Sequence, residues 1–261
     1  SGGSDGLNSS GAAARVAGGY CINACKPFAS GAPAGDLLMT SAVYEDPEKG
    51  ETVLHFPVPM NAEGVTIDPV WRAMGMRGTG SHNIVLSDVF IPDRDIAIQR
   101  PQGVWHPIIH ANAMIAFPII YSVYVGIAEA TRNLTVQHLR HRLGTASKPH
   151  DHIAYLIGGL ENELTTARLA HEHMMAIATS RQPSLETTNH IMSGRTLVTQ
   201  AVLNVVDLAM EVMGGRALYC DLGLEQLFRD AQAARYHPFP EGKQRQLLGY
   251  QILGWEASSG F

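Results

Sequence analysis

The sequence contains 261 residues, of which 45% are hydrophobic and 16% are charged, with a formal net charge of −5. This composition allows a sizeable core and excludes a disordered chain. The negative charge argues against general nucleic-acid binding, which needs a basic surface. The longest apolar stretch, residues 108–130, is interrupted by polar side chains and by Pro118, so we expect no membrane-spanning helix and no membrane partner.

Cysteine content and the first residues bear on the cellular compartment. Three cysteines are too few for a disulfide framework, and Cys21 and Cys25 have no second ligand pair that would complete a zinc site. The sequence begins with polar residues and glycines and shows no signal peptide. We therefore expect a cytoplasmic protein without a bound metal.

Residues 1–102 have the pattern of a small β-domain. Five segments of strand length, separated by turn residues, are apolar or alternate between apolar and polar side chains. These segments are residues 16–26, 36–44, 51–60, 64–71 and 82–91. Gly18 and Gly19 favour a tight turn within the first segment, and Pro57 and Pro59 predict that the third lies at a sheet edge or ends in a bulge. The regular spacing predicts a small antiparallel barrel or sandwich.

The period becomes helical after a polar, proline-containing linker at residues 92–107. Four apolar side chains and one alanine recur every three or four residues and predict the buried face of one helix that ends at Gly214-Gly215. They are Val198, Val202, Val205, Ala209 and Val212. Similar patterns cover residues 108–142, 151–181 and 223–256, of which the last is broken by two prolines. We predict a four-helix bundle over residues 103–261 and hence an α+β fold of two domains.

Several short motifs occur in an order that is more informative than any one of them. The segment Gly19–Ser30 (GYCINACKPFAS), preceded by Ser-Gly-Gly-Ser-Asp at the start, resembles the beginning of the acyl-CoA dehydrogenase middle domain. Residues 75–92 (GMRGTGS, then VLSDVFIP) resemble the end of that domain. Residues 140–144 (RHRLG), 211–215 (EVMGG) and 227–231 (LFRDA) resemble the R-x-x-F-G, Q-x-x-G-G and R-D-A motifs of that family's helical domain. The resemblance extends over nearly the whole chain.

The resemblance implies FAD as the cofactor and assigns part of its site to the β-domain. Phe28, Ala29 and Ser30 would lie beside the isoalloxazine ring, where an aromatic face packs and a hydroxyl or backbone N–H donates a hydrogen bond. The serine that corresponds to Ser4 lies near the cofactor and the acyl-CoA chain in this family. Phe28 replaces the tryptophan that is usual at its position.

The rest of the implied cofactor site belongs to the bundle and involves a second subunit. The arginine equivalent to Arg140 reaches the FAD pyrophosphate of a neighbouring subunit, which implies a homodimer or homotetramer. The backbone at Gly214-Gly215 would approach the cofactor closely because glycine has no Cβ. Glu211 replaces the usual glutamine, so an amide donor is lost, and Leu143 replaces a phenylalanine.

The position of the catalytic base departs from the family pattern. Many family dehydrogenases place a glutamate nine residues after the arginine of R-D-A, where this sequence has Pro238. We predict Glu241, followed by Gly242, as the base after a short insertion. The alternative is His237, because related flavin monooxygenases use a histidine near this point in oxygen chemistry. The other known site for a base falls near Ala116, which cannot take up a proton.

By resemblance, the expected activity is α,β-dehydrogenation of an acyl-CoA thioester in fatty acid metabolism. Glu241 would remove the α-proton, the β-hydride would pass to the flavin, and electron-transferring flavoprotein would accept the electrons. Two alternatives stay open, namely a two-component flavin monooxygenase and a fragment without catalysis. Family members begin with a helical domain that has no counterpart here, and we expect that the sequence is a piece of a longer protein.

Overall fold

The computed structural model describes residues 6–144 and 148–255. The described chain divides into two compact units. The first, which we name the β-unit, contains residues 6–73 and 77–109 together with Trp255. The second, the helical unit, contains residues 74–76, 110–144 and 148–254. Ser4, predicted to lie near the cofactor, is outside the described residues.

The β-unit is one open, mixed sheet of seven strands in the order β5-β6-β2-β1-β3-β4-β7. The strands are β1 (Ala12–Val16), β2 (Gly19–Ala29), β3 (Leu37–Asp46), β4 (Gly50–Pro59), β5 (Val65–Asp68), β6 (His82–Pro92) and β7 (Ile98–Pro101). Neighbouring strands are antiparallel except β1 and β3, which pair in parallel at Ala12↔Val43 and Ala13↔Tyr44. The terminal strands β5 and β7 do not pair in the described chain, so the prediction of an antiparallel barrel or sandwich is not confirmed in these details.

Proline placement explains how β4 meets its neighbours. Strand β4 pairs with β3 over its whole length, but β7 covers it only from Thr52 to His55. Pro57 and Pro59 lie beyond that stretch, where the missing N–H groups cost no ladder hydrogen bond to a second neighbour. The second half of β4, which contains the two prolines, therefore lies at a sheet edge as predicted, whereas its first half lies between two strands. Strand β7 itself lies inside the predicted linker and has no counterpart among the five predicted strands.

The helical unit contains three long helices and two short ones. They are α1 (Pro107–Leu143), α2 (Asp151–Ser180), α3 (Leu185–Met213), α4 (Leu224–Ala231) and α5 (Glu241–Ile252). Pro118 lies inside α1 without ending it, and its carbonyl oxygen lies 2.8 Å from Nε2 of His171 on α2. The predicted fourth helix is two helices, because residues 232–236 form a 3₁₀ turn and Pro238 and Pro240 follow.

Helix α3 is the centre of the helical core. Ser184 caps it in a capping box with Thr187, and Gly214 ends it with a φ of +58°, a conformation that favours glycine. All five side chains of the predicted stripe are buried, which confirms the periodicity argument. The first four pack in a cluster with α1 and α2 side chains such as Tyr121, Leu160 and Leu164, whereas Val212 packs with Leu139 and Leu156.

Two helical segments are long and apolar enough to cross a membrane, judged by length and composition alone. They are Pro107–Leu143 and Leu185–Leu218, and the second is more than half buried inside the structure. Core helices of soluble bundles pass the same test, so the finding is weak evidence for a membrane span. We expected no membrane-spanning helix because polar residues interrupt the apolar stretch at residues 108–130. The mean hydropathy of a long helical stretch stays high despite such single polar residues.

Candidate functional site

A pocket in the β-unit is lined by the residues that the sequence assigns to the flavin ring. It has a volume of about 250 Å³, and Phe28, Ala29 and Ser30 contribute to its wall. Phe28 has a φ of +54°, is 66% exposed and stands edge-on to Trp71 at a centroid distance of 6.2 Å. An exposed aromatic face held in this backbone conformation is available to pack a flat ring.

Polar groups lie beside this aromatic wall. The Ser30 hydroxyl lies 2.8 Å from that of Ser81, which lies 2.7 Å from that of Thr79. Each hydroxyl has one donor and two acceptor lone pairs, so these three linked hydroxyls can form a further hydrogen bond with a ligand. Lys26 is fully buried, donates to the carbonyl of Ser10 and also lines the pocket. Burial lowers the pKa of Lys26 to about 8.

The bundle residues assigned to the cofactor lie at one end of the helical unit. Arg140 lies exposed in the last turn of α1 next to Leu139, which packs against Val212 near the end of α3. Glu211 is exposed, and its Oε1 lies 3.8 Å from Nε2 of His152 at the start of α2. The structure therefore brings these residues to the same end of the bundle as Gly214 and Gly215.

Gly214 and Gly215 are exposed and surrounded by open space. A Cβ built at either position meets no atom of the described chain within 4 Å. The absence of a side chain is thus not required by packing within the chain. Of the two, Gly214 alone has the positive φ that disfavours other residues. Their role in cofactor binding stays a prediction.

His237 lies in a different part of the helical unit, within an aromatic and basic cluster. Its ring is packed edge-on against Tyr121 and Tyr124 of α1, with centroid distances of 5.7 and 5.6 Å. The Tyr124 hydroxyl lies 2.6 Å from His237 Nε2. Burial, followed by the nearby charge of Arg195, lowers the pKa of His237 to about 4. The imidazole is therefore neutral at pH 7.

Arg195 of α3 holds the loop that carries His237. Its guanidinium is 2% exposed and donates from Nε to the Tyr121 hydroxyl at 2.7 Å. It also donates to the carbonyl oxygen of His237 at 2.8 Å and to that of Phe239. Tyr121 in turn donates to the carbonyl of Ala234 at 2.7 Å. A buried cation is thus satisfied by neutral oxygens and cation–π contacts.

Sequence reasoning missed Arg195, Tyr121 and Tyr124. A signal was present, because an arginine on the apolar face of a helix is expensive to bury without partners. Arg195 lies three residues before Val198, the first member of the buried stripe. The tyrosines carried no comparable signal, since aromatic residues at helical spacing usually belong to a core.

Glu241, the predicted base, is engaged by two neighbouring side chains. Its Oε1 accepts from Gln200 Nε2 at 3.0 Å and forms an ion pair with Arg245 at 2.5 Å. Its side chain is 41% exposed at the first turn of α5. Both partners compete for the lone pairs that would remove a substrate proton. The assignment of the base stays a prediction.

The R-D-A motif has a clear packing role in the helical unit. Arg229 Nη1 donates to the Met74 carbonyl at 2.6 Å, and Asp230 Oδ1 accepts from the Met76 N–H at 2.5 Å. Between them, a Cβ built on Gly75 would lie 2.1 Å from the Arg229 carbonyl oxygen. Arg229 and Asp230 therefore hold residues 74–76 against α4, and glycine is required at the point of closest approach.

Comparison with known proteins agrees with this architecture. The family model of the acyl-CoA dehydrogenase middle domain matches residues 1–89, and that of the acyl-CoA dehydrogenase C-terminal domain matches residues 119–241. Putative acyl-CoA dehydrogenase YdbM of Bacillus subtilis is 29% identical over 85% of this chain and 57% of its own length. Dibenzothiophene monooxygenase of Rhodococcus erythropolis is 28% identical over 84% of this chain and 58% of its own length.

A solved structure shows the same fold. KijD3 in complex with FMN and dTDP-3-amino-2,3,6-trideoxy-4-keto-3-methyl-D-glucose superimposes with a TM-score of 0.86 at 22% identity, covering 96% of this chain and 63% of KijD3. The two family models match proteins of a family whose members are flavin-dependent oxidoreductases. The chain belongs to the acyl-CoA dehydrogenase family. It spans less than two thirds of the length of these relatives.

The residues of the β-unit fit a flavin. Phe28 and the hydroxyl-bearing Ser30 offer apolar packing and hydrogen bonding in the wall of one pocket, which is the combination that a fused aromatic ring with polar edges requires. KijD3, which shares the fold, has FMN in its solved complex. Phe28, Ala29 and Ser30 are the residues that would hold the ring.

Proposed function

We propose that the chain is the core of a flavin-dependent monooxygenase in which His237 contributes to the chemistry of oxygen. The observation that carries the proposal is the environment of His237. Its imidazole is kept neutral by burial, is hydrogen-bonded by Tyr124, and is carried on a loop that Arg195 fixes. Fixed polar groups in a desolvated site stabilise developing charge without reorganisation.

The overall reaction balances with the flavin as the two-electron donor. Bound reduced flavin would supply two electrons to O₂, so that one oxygen atom is inserted into a C–H bond or added to a heteroatom of the substrate and the other takes up two protons and leaves as water. The protein has to position the substrate, exclude water and offer polar groups to oxygen as charge develops. His237 suits the last task, because a neutral ring adds no positive charge next to Arg195. Dibenzothiophene monooxygenase at 28% identity supports this class of reaction.

The second candidate is α,β-dehydrogenation of an acyl-CoA thioester with Glu241 as base. Its support is the Glu241-Gly242 pair at the start of α5 and the 29% identity to a putative acyl-CoA dehydrogenase. Electron-transferring flavoprotein would then be the acceptor, and fatty acid metabolism the setting. The carboxylate would first have to leave Arg245 and Gln200, which is why we rank this candidate second.

Three further proposals accompany either reaction. The flavin is FAD, the protein acts in the cytoplasm, and it is a homodimer or homotetramer in which Arg140 lies near a subunit boundary. An exposed apolar row on α1 supports the oligomer, because Ile115, Ile119 and Val123 follow one another at four-residue spacing with more than half of each exposed.

One experiment with two arms separates the candidates. In the first, the full-length protein with oxidised flavin is mixed anaerobically with acyl-CoA thioesters of several chain lengths, and flavin bleaching is followed. In the second, reduced flavin and ¹⁸O₂ are supplied with dibenzothiophene and indole, and products are analysed by mass spectrometry. We expect single ¹⁸O incorporation that is lost in His237→Ala, and no bleaching. Bleaching that disappears in Glu241→Gln would overturn the proposal in favour of the dehydrogenase.

A further inference from the structure

The buried hydroxyl of Tyr124 is hydrogen-bonded to the ring of His237. Among the residues that the structure describes, His237 Nε2 is the one hydrogen-bonding atom near it, at 2.6 Å. Tyr124 is 1% exposed, and burial raises its pKa above the usual value for tyrosine. It is therefore a protonated phenol whose O–H needs an acceptor.

The direction of this hydrogen bond follows from the cost of the alternative. If His237 Nε2 carried the ring proton, it would donate to the phenol oxygen and leave the buried O–H without an acceptor. An unsatisfied buried donor costs about 1–3 kcal/mol. If the proton lies on Nδ1 instead, the phenol donates to the Nε2 lone pair and both groups are satisfied.

The other ring nitrogen, Nδ1, is the second hydrogen-bonding atom of the His237 ring. Within the described chain, no protein atom forms a hydrogen bond with Nδ1 of His237. The residue is only partly buried. Its carbonyl oxygen is fixed by Arg195, and its ring is flanked by two tyrosines. The ring thus has little freedom to turn.

We infer that Tyr124 is a positioning residue that fixes His237 in the Nδ1–H tautomer, so that His237 offers the reacting oxygen a neutral hydrogen-bond donor and does not act as a base. This inference rests on the proposed monooxygenase function and specifies the role of its central side chain. Orientation of a catalytic imidazole by a partner at its second nitrogen is a general device.

The charged groups around the ring agree with this role. Tyr121 and Tyr124 face it from α1, and Arg195 faces it from α3. Asp230 of α4 acts on Tyr124 and favours the protonated phenol. No carboxylate of the described residues forms an ion pair with His237 that would favour the imidazolium. A base would gain from such a partner, whereas a neutral donor does not need one.

The direct test is the tautomer of His237 in the full-length protein. Long-range ¹H–¹⁵N correlation spectra of histidine-labelled protein, assigned with His237→Gln, distinguish a protonated Nδ1 from a protonated Nε2. We expect Nδ1–H in the parent. Tyr124→Phe should shift the ring toward Nε2–H. Tyr155→Phe is the control, since it removes the same atom from an exposed tyrosine of α2 and should keep Nδ1–H. An Nε2–H tautomer in the parent would overturn the inference without any substitution.

Kinetics with reduced flavin and O₂ provide the second readout. By analogy with partners that orient metal-bound histidines, Tyr124→Phe should lower kcat by about 10–100-fold with little change in KM. The rate should not vary with His237 titration between pH 6 and 9. Retention of the full rate in Tyr124→Phe after loss of the Nδ1–H tautomer would refute the positioning role. A fully active His237→Ala protein with the expected tautomer in the parent would reject the role of His237 in the reaction and leave only the hydrogen-bond direction standing. Absence of oxygen incorporation in the parent, with the expected tautomer, would instead reject the monooxygenase proposal.

Discussion

The guanidinium of Arg195 lies over the ring of Tyr121, 5.6 Å from its centroid, and donates to its hydroxyl at 2.7 Å. This pair joins α3 to α1 in the middle of a core that is otherwise apolar. The same guanidinium reaches two carbonyl oxygens of the His237 loop. One buried side chain therefore links helix packing to the geometry of the candidate catalytic residue.

The first prediction concerns stability. Arg195→Met should lower the free energy of unfolding by about 1–3 kcal/mol, the range expected when a buried polar group loses its hydrogen-bond partner. Urea denaturation followed by circular dichroism measures the change. Arg168→Met is the control, because Arg168 pairs with Glu129 at the surface and should cost less than about 1 kcal/mol. Equal effects of the two substitutions would contradict the role of Arg195.

The second prediction tests the R-D-A motif as a packing element. Gly75→Ala places a Cβ 2.1 Å from the Arg229 carbonyl oxygen, which is backbone and cannot move alone. We expect a loss of at least about 1–3 kcal/mol in the free energy of unfolding. Gly126→Ala on α1 meets open space and should be neutral or stabilising by up to about 1 kcal/mol. Thermal unfolding of both variants measures the change. A Gly75→Ala protein as stable as the parent would refute the close contact between Gly75 and the Arg229 carbonyl.

The sequence was sufficient for the helical stripe, the strands β2 to β6 and the family, because each depends on local periodicity or on motif order. The parallel pairing of β1 with β3 was not predictable in this way, since it joins segments that a long excursion of the chain separates. The His237 cluster was hidden for the same reason. Tyr124 and His237 are 113 residues apart, and only the packing of the helical unit brings them together.

The third prediction concerns pH. The pKa of His237 is about 4 in the folded protein and about 6.5 in an unfolded chain. The unfolded state therefore binds more protons between these values, so the stabilising contribution is fully present above pH 6.5 and is lost as the pH falls toward 4. His237 would contribute up to about 3 kcal/mol. His55, whose pKa burial also lowers to about 4, adds to the same slope.

The measurement is urea denaturation at intervals between pH 4 and 7.5. The parent should lose stability across this window, and His237→Gln should show a shallower slope with the His55 contribution remaining. His138→Gln is the control, because His138 lies at the polar end of α1 away from this cluster. If the slopes of the parent and of His237→Gln coincide, His237 is not buried as a neutral ring.

The last prediction concerns the glycine pair at the end of α3. A valine at Gly215 meets no atom of the described chain and needs no positive φ, so Gly215→Val should leave the free energy of unfolding within about 1 kcal/mol of the parent. If the cofactor approaches this backbone, the added side chain should nevertheless weaken flavin binding by at least about tenfold, or about 1.4 kcal/mol. Gly126→Val, in equally open space on α1, controls for the substitution itself.

The glycine pair is also far from the His237 cluster along α3. Arg195 precedes Gly214, the residue that ends α3, by 19 positions, which is about 28 Å along the axis at 1.5 Å per residue. The Gly215→Val defect should therefore leave the His237 tautomer unchanged. Flavin titration by fluorescence quenching measures the affinity, and equal affinities for the parent and both variants would remove Gly215 from the cofactor site.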